Sequence, residues 1–197
     1  MKTALREICR RFSPGIRLTA HQSILLTNIE PRQRGEIESI LKANRVRLTE
    51  ETSTVRRWSM ACVAWPTCGL SITEAERALP GIIDGMEVEL AKLGLSQDAF
   101  TVRMTGCPNG CARPYNSDIG LVGKTKGKYT ILVGGRLLGD RLNFIFKDLI
   151  PEEEVVATLL PLFVYYKQQR EPGETLGDFC HRKGQADLVA FADAWRA

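Results

Sequence analysis

An α+β fold is the class that this sequence predicts, and three observations lead there. The first is bulk: 197 residues, 44% hydrophobic and 25% charged, match a folded globular chain with room for a packed core in one domain or two small ones. The second is a set of segments whose apolar residues recur at helical spacing. The third is a set of short segments that alternate apolar and polar residues, as half-buried strands do. No apolar run approaches the ~18–20 residues that cross a bilayer, and no secretory signal is visible, so the expected location is cytoplasmic, with no membrane partner.

Taken in order, residues 3–12 set Ala4, Leu5, Ile8 and Phe12 on one helical face, and Pro14-Gly15 stops that helix. Residues 16–19 and 24–26 read as short strands around the corner Ala20-His21-Gln22. After Pro31, Ile37, Ile40 and Leu41 mark a second helix. This helix–strand–strand–helix unit is small and reads as half of something larger. The polar stretch 49–57, TEETSTVRR, is the expected linker, so the division falls into 1–57 and 58–197. Residues 71–79 and 82–93 read as helices broken apart by Pro80-Gly81, and residues 100–104 as a strand that ends at TGCPNGC. Strands at 118–122 and 129–133 are joined by the turn KTKGK. Pro151 followed by Glu152, Glu153 and Glu154 starts a helix whose apolar stripe is Val156, Leu159, Leu160 and Phe163, with a kink expected at Pro161. A last helix covers residues 186–195.

The formal charge is +4, distributed as +6 over residues 1–60, −4 over 61–100, +5 over 101–150 and −3 over 151–197. Two basic stretches suit an anionic cofactor, substrate or acidic partner, while so small a net charge gives no argument for nucleic acid. Arg17, Arg103, Arg113, Lys124, Lys126 and Lys128 are read either as contacts to a cofactor or partner or as solvated surface charges.

Six cysteines without a signal peptide point to metal binding more than to disulfides. Cys62 and Cys68 form a C-x5-C pair, and Cys107 and Cys111 a C-x3-C pair. Pro66, Thr67 and Gly69 bracket the first pair, and Pro108, Asn109 and Gly110 the second. Such turn-forming residues let a backbone curl until two thiolates converge, and they admit a bulky inorganic group close to the main chain. Four thiolates suit zinc or an iron–sulfur cluster. Structural zinc favours tighter knuckles, so the wider spacings favour [4Fe–4S]. The third reading is that all four are small buried hydrophobes. Cys9 and Cys180 have no paired neighbour and read as bystanders; His21 and His181 are too isolated to build a second metal site.

The runs MACVAWPTCGLSITEAERALP and RMTGCPNGCARPYNSDIGLVG, continued by LVGGRLLGDRL and GDFCHRKG, resemble the paired motifs of the siroheme-dependent sulfite and nitrite reductases. RLTAHQSILLTNI resembles the second ferredoxin-like half-repeat of that family, so the likeness covers nearly the whole chain. It implies a ferredoxin-like half-repeat followed by a mixed α/β domain for siroheme and the iron–sulfur cluster. It implies that Cys62, Cys68, Cys107 and Cys111 hold a [4Fe–4S] cluster and that the Cys111 sulfur bridges the cluster to the siroheme iron. Cys111 is therefore the residue assigned to the reaction, and Cys111, Arg113 and Asn109 are assigned to cofactor contact.

Within the family, CARPY leans towards sulfite over nitrite as substrate, and PLFVYYKQQREPGETLGDFCHR towards the ferredoxin-dependent branch. The resemblance covers only the C-terminal part of the complete enzymes. The missing N-terminal half, which carries the cationic grip on sulfite, is thus an expected partner, and the chain alone is expected to be inactive. A nitrite reductase of the same family, and a stand-alone [4Fe–4S] electron-transfer protein, are the alternative readings.

Overall fold

The structure is a computed structural model that describes residues 1–196. It divides into two compact units, Met1–Ser53 and a second that begins at Thr54.

In the first unit, α1 (Lys2–Phe12) buries Ala4 and Ile8 and ends where Ser13 turns left-handed before Pro14. Strands β1 (Gly15–Leu18) and β2 (Ile24–Thr27) pair antiparallel, with Ile16 opposite Leu26. The Thr19 hydroxyl accepts the His21 and Ser23 N–H groups in the turn between them. Glu30 and Gln33 cap each other ahead of α2 (Arg34–Ala43), which buries Ile37 and Ile40 against α1. The hairpin leaves Ile16, Leu18 and Leu25 exposed.

The stretch expected to be a linker is structured. A 3-10 turn covers Thr49–Glu51, and α3 (Thr54–Arg57) buries Thr54 and Val55. The sequence looks polar because its charge is spent on a neighbour: Arg56 pairs with Glu87 at 2.8 Å and Asp84 at 2.5 Å.

The second unit is built on a sheet of order β3-β4-β5-β6-β7: β3 (Ser59–Ala61), β4 (Val102–Thr105), β5 (Ile119–Thr125), β6 (Lys128–Val133) and β7 (Phe144–Pro151). The β3–β4 and β4–β5 pairs are parallel; the last two are antiparallel. Helices α4 (Leu79–Leu93) and α5 (Val155–Gln169) supply Ile83, Met86, Leu90, Leu159 and Phe163 to the main core, and α6 (Leu176–Lys183) and α7 (Gln185–Ala194) add Phe179 and Leu188. Val102, Met104, Ile119, Leu121, Ile131 and Val133 meet them from one sheet face, at the period of two that strands impose. The other face, over β4 and β5, is covered by the loop that carries Cys107 and Cys111: a Cβ at Gly120 would come within 2.2 Å of Pro114 O.

Several expectations change. Residues 71–78 are not helical: the Ile72 and Thr73 N–H groups are drawn into bonds with Gly106 O, just before Cys107. Pro80 and Gly81 lie inside the first part of α4, where a proline forfeits no helical hydrogen bond. α5 continues through Pro161 to Gln169. Strands β3 and β7 and helix α6 are elements the sequence reading did not include.

Candidate metal centre

The two cysteine pairs follow neighbouring strands, because β3 and β4 run parallel. Cys62 follows β3 directly, and its N–H continues the ladder by donating to Met104 O at 3.1 Å. Cys107 follows β4 after Gly106 alone, so both chains leave the sheet at the same end. The Gly106 N–H reaches Cys62 Sγ at 3.4 Å, and Gly106 O accepts from the Ile72 and Thr73 N–H groups at 2.9 and 3.1 Å. Ala64 turns left-handed at φ 46° inside the first loop, and the Cys68 N–H then donates back to Ala64 O at 2.7 Å.

Thr73 joins three segments. Its hydroxyl accepts the Gly127 N–H at 2.9 Å and stands 3.4 Å from the Tyr129 hydroxyl, while its carbonyl accepts from Ser71 Oγ at 2.6 Å. Tyr129 also donates to Glu74 O at 2.9 Å, and burial pushes its phenol up to about 12. In the second loop Gly110 takes φ +71° and Arg113 φ 56°, and the Arg113 N–H donates to Gly110 O at 2.7 Å. The Tyr115 hydroxyl clips the loop by donating to Pro108 O at 2.7 Å; burial, and then the neighbouring Cys107, raise its pKa.

Among the four thiols Cys107 is buried, Cys62 and Cys68 are partly buried, and Cys111 is exposed. Asn109 sits exposed at the tip of the second loop, and Arg113 is exposed where it leaves. Among the described residues no three His, Cys, Asp or Glu side chains are grouped as ligands for a single metal ion. The donor set on the two loops is all thiol, the ligand chemistry of iron–sulfur clusters. A backbone N–H is directed at one of those sulfurs, and polar groups are buried beneath the second loop. The residues present fit a cluster.

Arg103 corrects the surface-charge reading, since it is fully buried on β4; Lys124, Lys126 and Lys128 are exposed. Cys180 lies in the main core, where burial raises its thiol well above the usual range, and Cys9 belongs to the first unit, on α1. Sequence reasoning passed over Thr73, Thr105, Gly106 and Tyr129. The Thr105-Gly106 pair directly before Cys107 was the one local signal for them.

Fold and sequence together define an α+β domain that carries four cysteines on two loops leaving adjacent parallel strands. Residues 53–192 match the family model described as the nitrite and sulphite reductase 4Fe-4S domain, and residues 1–44 that of the nitrite/sulfite reductase ferredoxin-like half domain. The chain belongs to this nitrite and sulphite reductase family, whose cofactors are a [4Fe–4S] cluster and siroheme. It is 45% identical over 184 residues to the sulfite reductase [NADPH] hemoprotein beta-component of Chromohalobacter salexigens, covering 93% of this chain and 32% of that one. With the sulfite reductase [ferredoxin] of Synechococcus elongatus it shares 41% identity over 196 residues, 100% of this chain and 31% of the other. The chain thus spans about a third of the length of the curated relatives it matches. Among solved structures, Mycobacterium tuberculosis NirA superposes with a TM-score of 0.81 at 24% identity, over 94% of this chain and 36% of that one. Dissimilatory sulfite reductase I gives 0.69 at 14% identity, over 100% and 67%. These two likenesses show the fold. No helix among the described residues is long and apolar enough to cross a membrane.

Proposed function

We propose that this chain is the cluster-bearing C-terminal part of an assimilatory-type sulfite reductase haemoprotein. In this reading Cys62, Cys68, Cys107 and Cys111 would hold a [4Fe–4S] cluster, and Cys111 alone would also be the contact to siroheme. The observation that carries it is the gradation of exposure. Three thiols are wholly or partly buried, and the fourth is exposed on the loop that also presents Asn109 and Arg113. When bound, the cofactors supply the store of electrons and the electron-rich iron needed to take sulfur(IV) to sulfide, a six-electron change. The chain's own residues hold the thiolates apart on two braced loops, keep Cys107 from water and leave Cys111 accessible. Asn109 and Arg113 are the proposed polar contacts to siroheme.

Turnover on sulfite is proposed to need the complementary N-terminal half, because the family resemblance puts the cationic grip on the substrate there. The donor is proposed to be a small acidic one-electron carrier of the ferredoxin kind, docking on the basic turn between β5 and β6. The relatives' names include both NADPH and ferredoxin types.

The test is metal chemistry. After anaerobic reconstitution the full chain should contain iron and acid-labile sulfide in cluster stoichiometry. Cys62→Ser or Cys68→Ser should abolish or degrade the cluster, whereas Cys9→Ser should not. With the complementary half present, Cys111→Ser should disturb the siroheme spectrum as well. Stoichiometric zinc without sulfide would end the reading, and an identical cluster-only defect in all four serine variants would end the bridging role of Cys111.

A further inference from the structure

Two buried polar groups on the sheet face beneath the Cys107–Cys111 loop have no part in the assignment above. Arg103 and Thr105 are both fully buried, and alternation along β4 turns them away from the helix-covered face on which Val102 and Met104 pack. Arg103 Nη1 donates to Ala112 O, one residue beyond Cys111, at 3.4 Å, and lies 3.6 Å from Met60 Sδ. The Thr105 hydroxyl, two residues before Cys107, meets no hydrogen-bond partner among the described residues. Burial, and then the like charge of Arg113, push the Arg103 guanidinium down to about 10. Removing a hydroxyl from water costs free energy unless something polar meets it. A thiolate-ligated cluster is an anion, since four thiolates outweigh the positive charge of the iron–sulfide core.

Building on the cluster assignment, we propose that Arg103 and Thr105 are positioning residues that form an electropositive floor to the cluster site, Arg103 as a buried counter-charge and Thr105 as a hydroxyl dipole. Together with the Gly106 N–H directed at Cys62 Sγ, they favour the state that has gained an electron. Net charge and hydrogen bonds to sulfur are the protein's levers on cluster potential, and a charge acts most strongly where water is excluded. The step is the transfer of one electron from an external one-electron reductant to the cluster, with no bond or proton exchanged. The floor raises the midpoint of that couple.

The test titrates the reconstituted full chain with dithionite and follows the EPR signal of the reduced cluster. Arg103→Met should move the one-electron equilibrium about tenfold towards the oxidised form, a midpoint lower by about 59 mV. Arg103→Lys, which keeps the charge, should stay near wild type. Thr105→Val, nearly isosteric, should shift the midpoint in the same direction by less. Unchanged midpoints in Arg103→Met and Thr105→Val, at wild-type iron and sulfide content, overturn the proposal. If Arg103→Met does not fold, Thr105→Val decides alone: a lowered midpoint supports the floor and an unmoved one refutes it. Wild-type protein that takes up metal without sulfide overturns the cluster assignment itself, and the floor with it. That outcome differs visibly from an intact cluster whose potential does not move.

Discussion

Gly106 is a position where a single methyl group has no room. A Cβ there would lie 2.2 Å from Ser71 Oγ, 2.4 Å from Thr73 O and 2.7 Å from the Ala64 Cβ. Serine can rotate away, but the Thr73 carbonyl cannot, because the Thr73 N–H is held by Gly106 O itself. Gly106→Ala should therefore cost the apoprotein about 1–3 kcal/mol as an overpacked site, read from the urea midpoint, and should lower iron retention. Unchanged values for both would show that the loops are free to part. Cys180 behaves in the opposite way. It packs in the main core, so Cys180→Ala should lower the urea midpoint by about 1–2 kcal/mol as a small deletion in a packed interior, yet leave iron and sulfide content untouched. Loss of the cluster in that variant would contradict its role as a packing residue.

At the scale of elements, α6 is fastened by its first turn. Thr175 caps it by accepting the Asp178 N–H at 3.1 Å, and the buried carboxylate of Asp118 accepts the Gly177 N–H at 2.8 Å. Asp178 receives Arg136 and Arg141 at 2.8 Å each. Burial alone would raise its pKa, but the bonds from Arg141, Arg136 and Thr175 outweigh that and hold it at about 2, against 3.8 when free. A carboxylate with a depressed folded-state pKa adds stability above its unfolded value and loses it as pH falls through the folded one. Asp178→Asn should therefore be less stable than wild type at neutral pH, and the gap should close between 3.8 and about 2. Urea unfolding at both ends checks it, and a gap independent of pH would remove the ion pairs as its cause. The elements legible from sequence were those whose own residues carry the period: α1, α2, α5 and α7, residues 82–93 of α4, the first hairpin, and β4 to β6. β3 is too short to show alternation, and β7 buries Phe146 alone. Residues 71–78 spell a helix, but Ile72 and Thr73 at their start bond to Gly106, a partner that local pattern does not reveal. The two cysteine pairs were visible as spacing in the sequence; that they follow adjacent parallel strands was not. The burial of Arg103 and the Thr73–Tyr129 brace depend on residues far apart in the chain.

For the molecule as a whole, charge is local rather than global. Lys124, Lys126 and Lys128 stand exposed on the turn between β5 and β6, where Lys124 approaches Asp148 only to 3.9 Å, a pair that binds little at a surface. Pairing of β6 with β7 sets Lys128 opposite Pro151, so the acidic run Glu152–Glu154 begins alongside and confines the positive field to the turn. An acidic carrier steered there is screened within ~8 Å at physiological salt, and such steering mainly raises the association rate. Cluster reduction by reduced ferredoxin should therefore slow as ionic strength rises. Replacing all three lysines with glutamate should slow it further without bleaching the cofactors. Rates indifferent to salt and to the triple substitution would place docking elsewhere.

The parallel pairing of β3 with β4 also sets a timetable for biosynthesis. Parallel neighbours need a long connection between them, here one that includes all of α4. A nascent chain that has delivered β3 to the ribosome exit therefore offers Cys62 and Cys68 as an incomplete claw beside an open strand edge. Only when β4 and the loop after it have emerged can the second pair of thiols close the set. A cluster-delivery machine that met the chain earlier would find half of the proposed site, so maturation of the proposed centre must, by topology, wait for the Cys107–Cys111 loop to emerge.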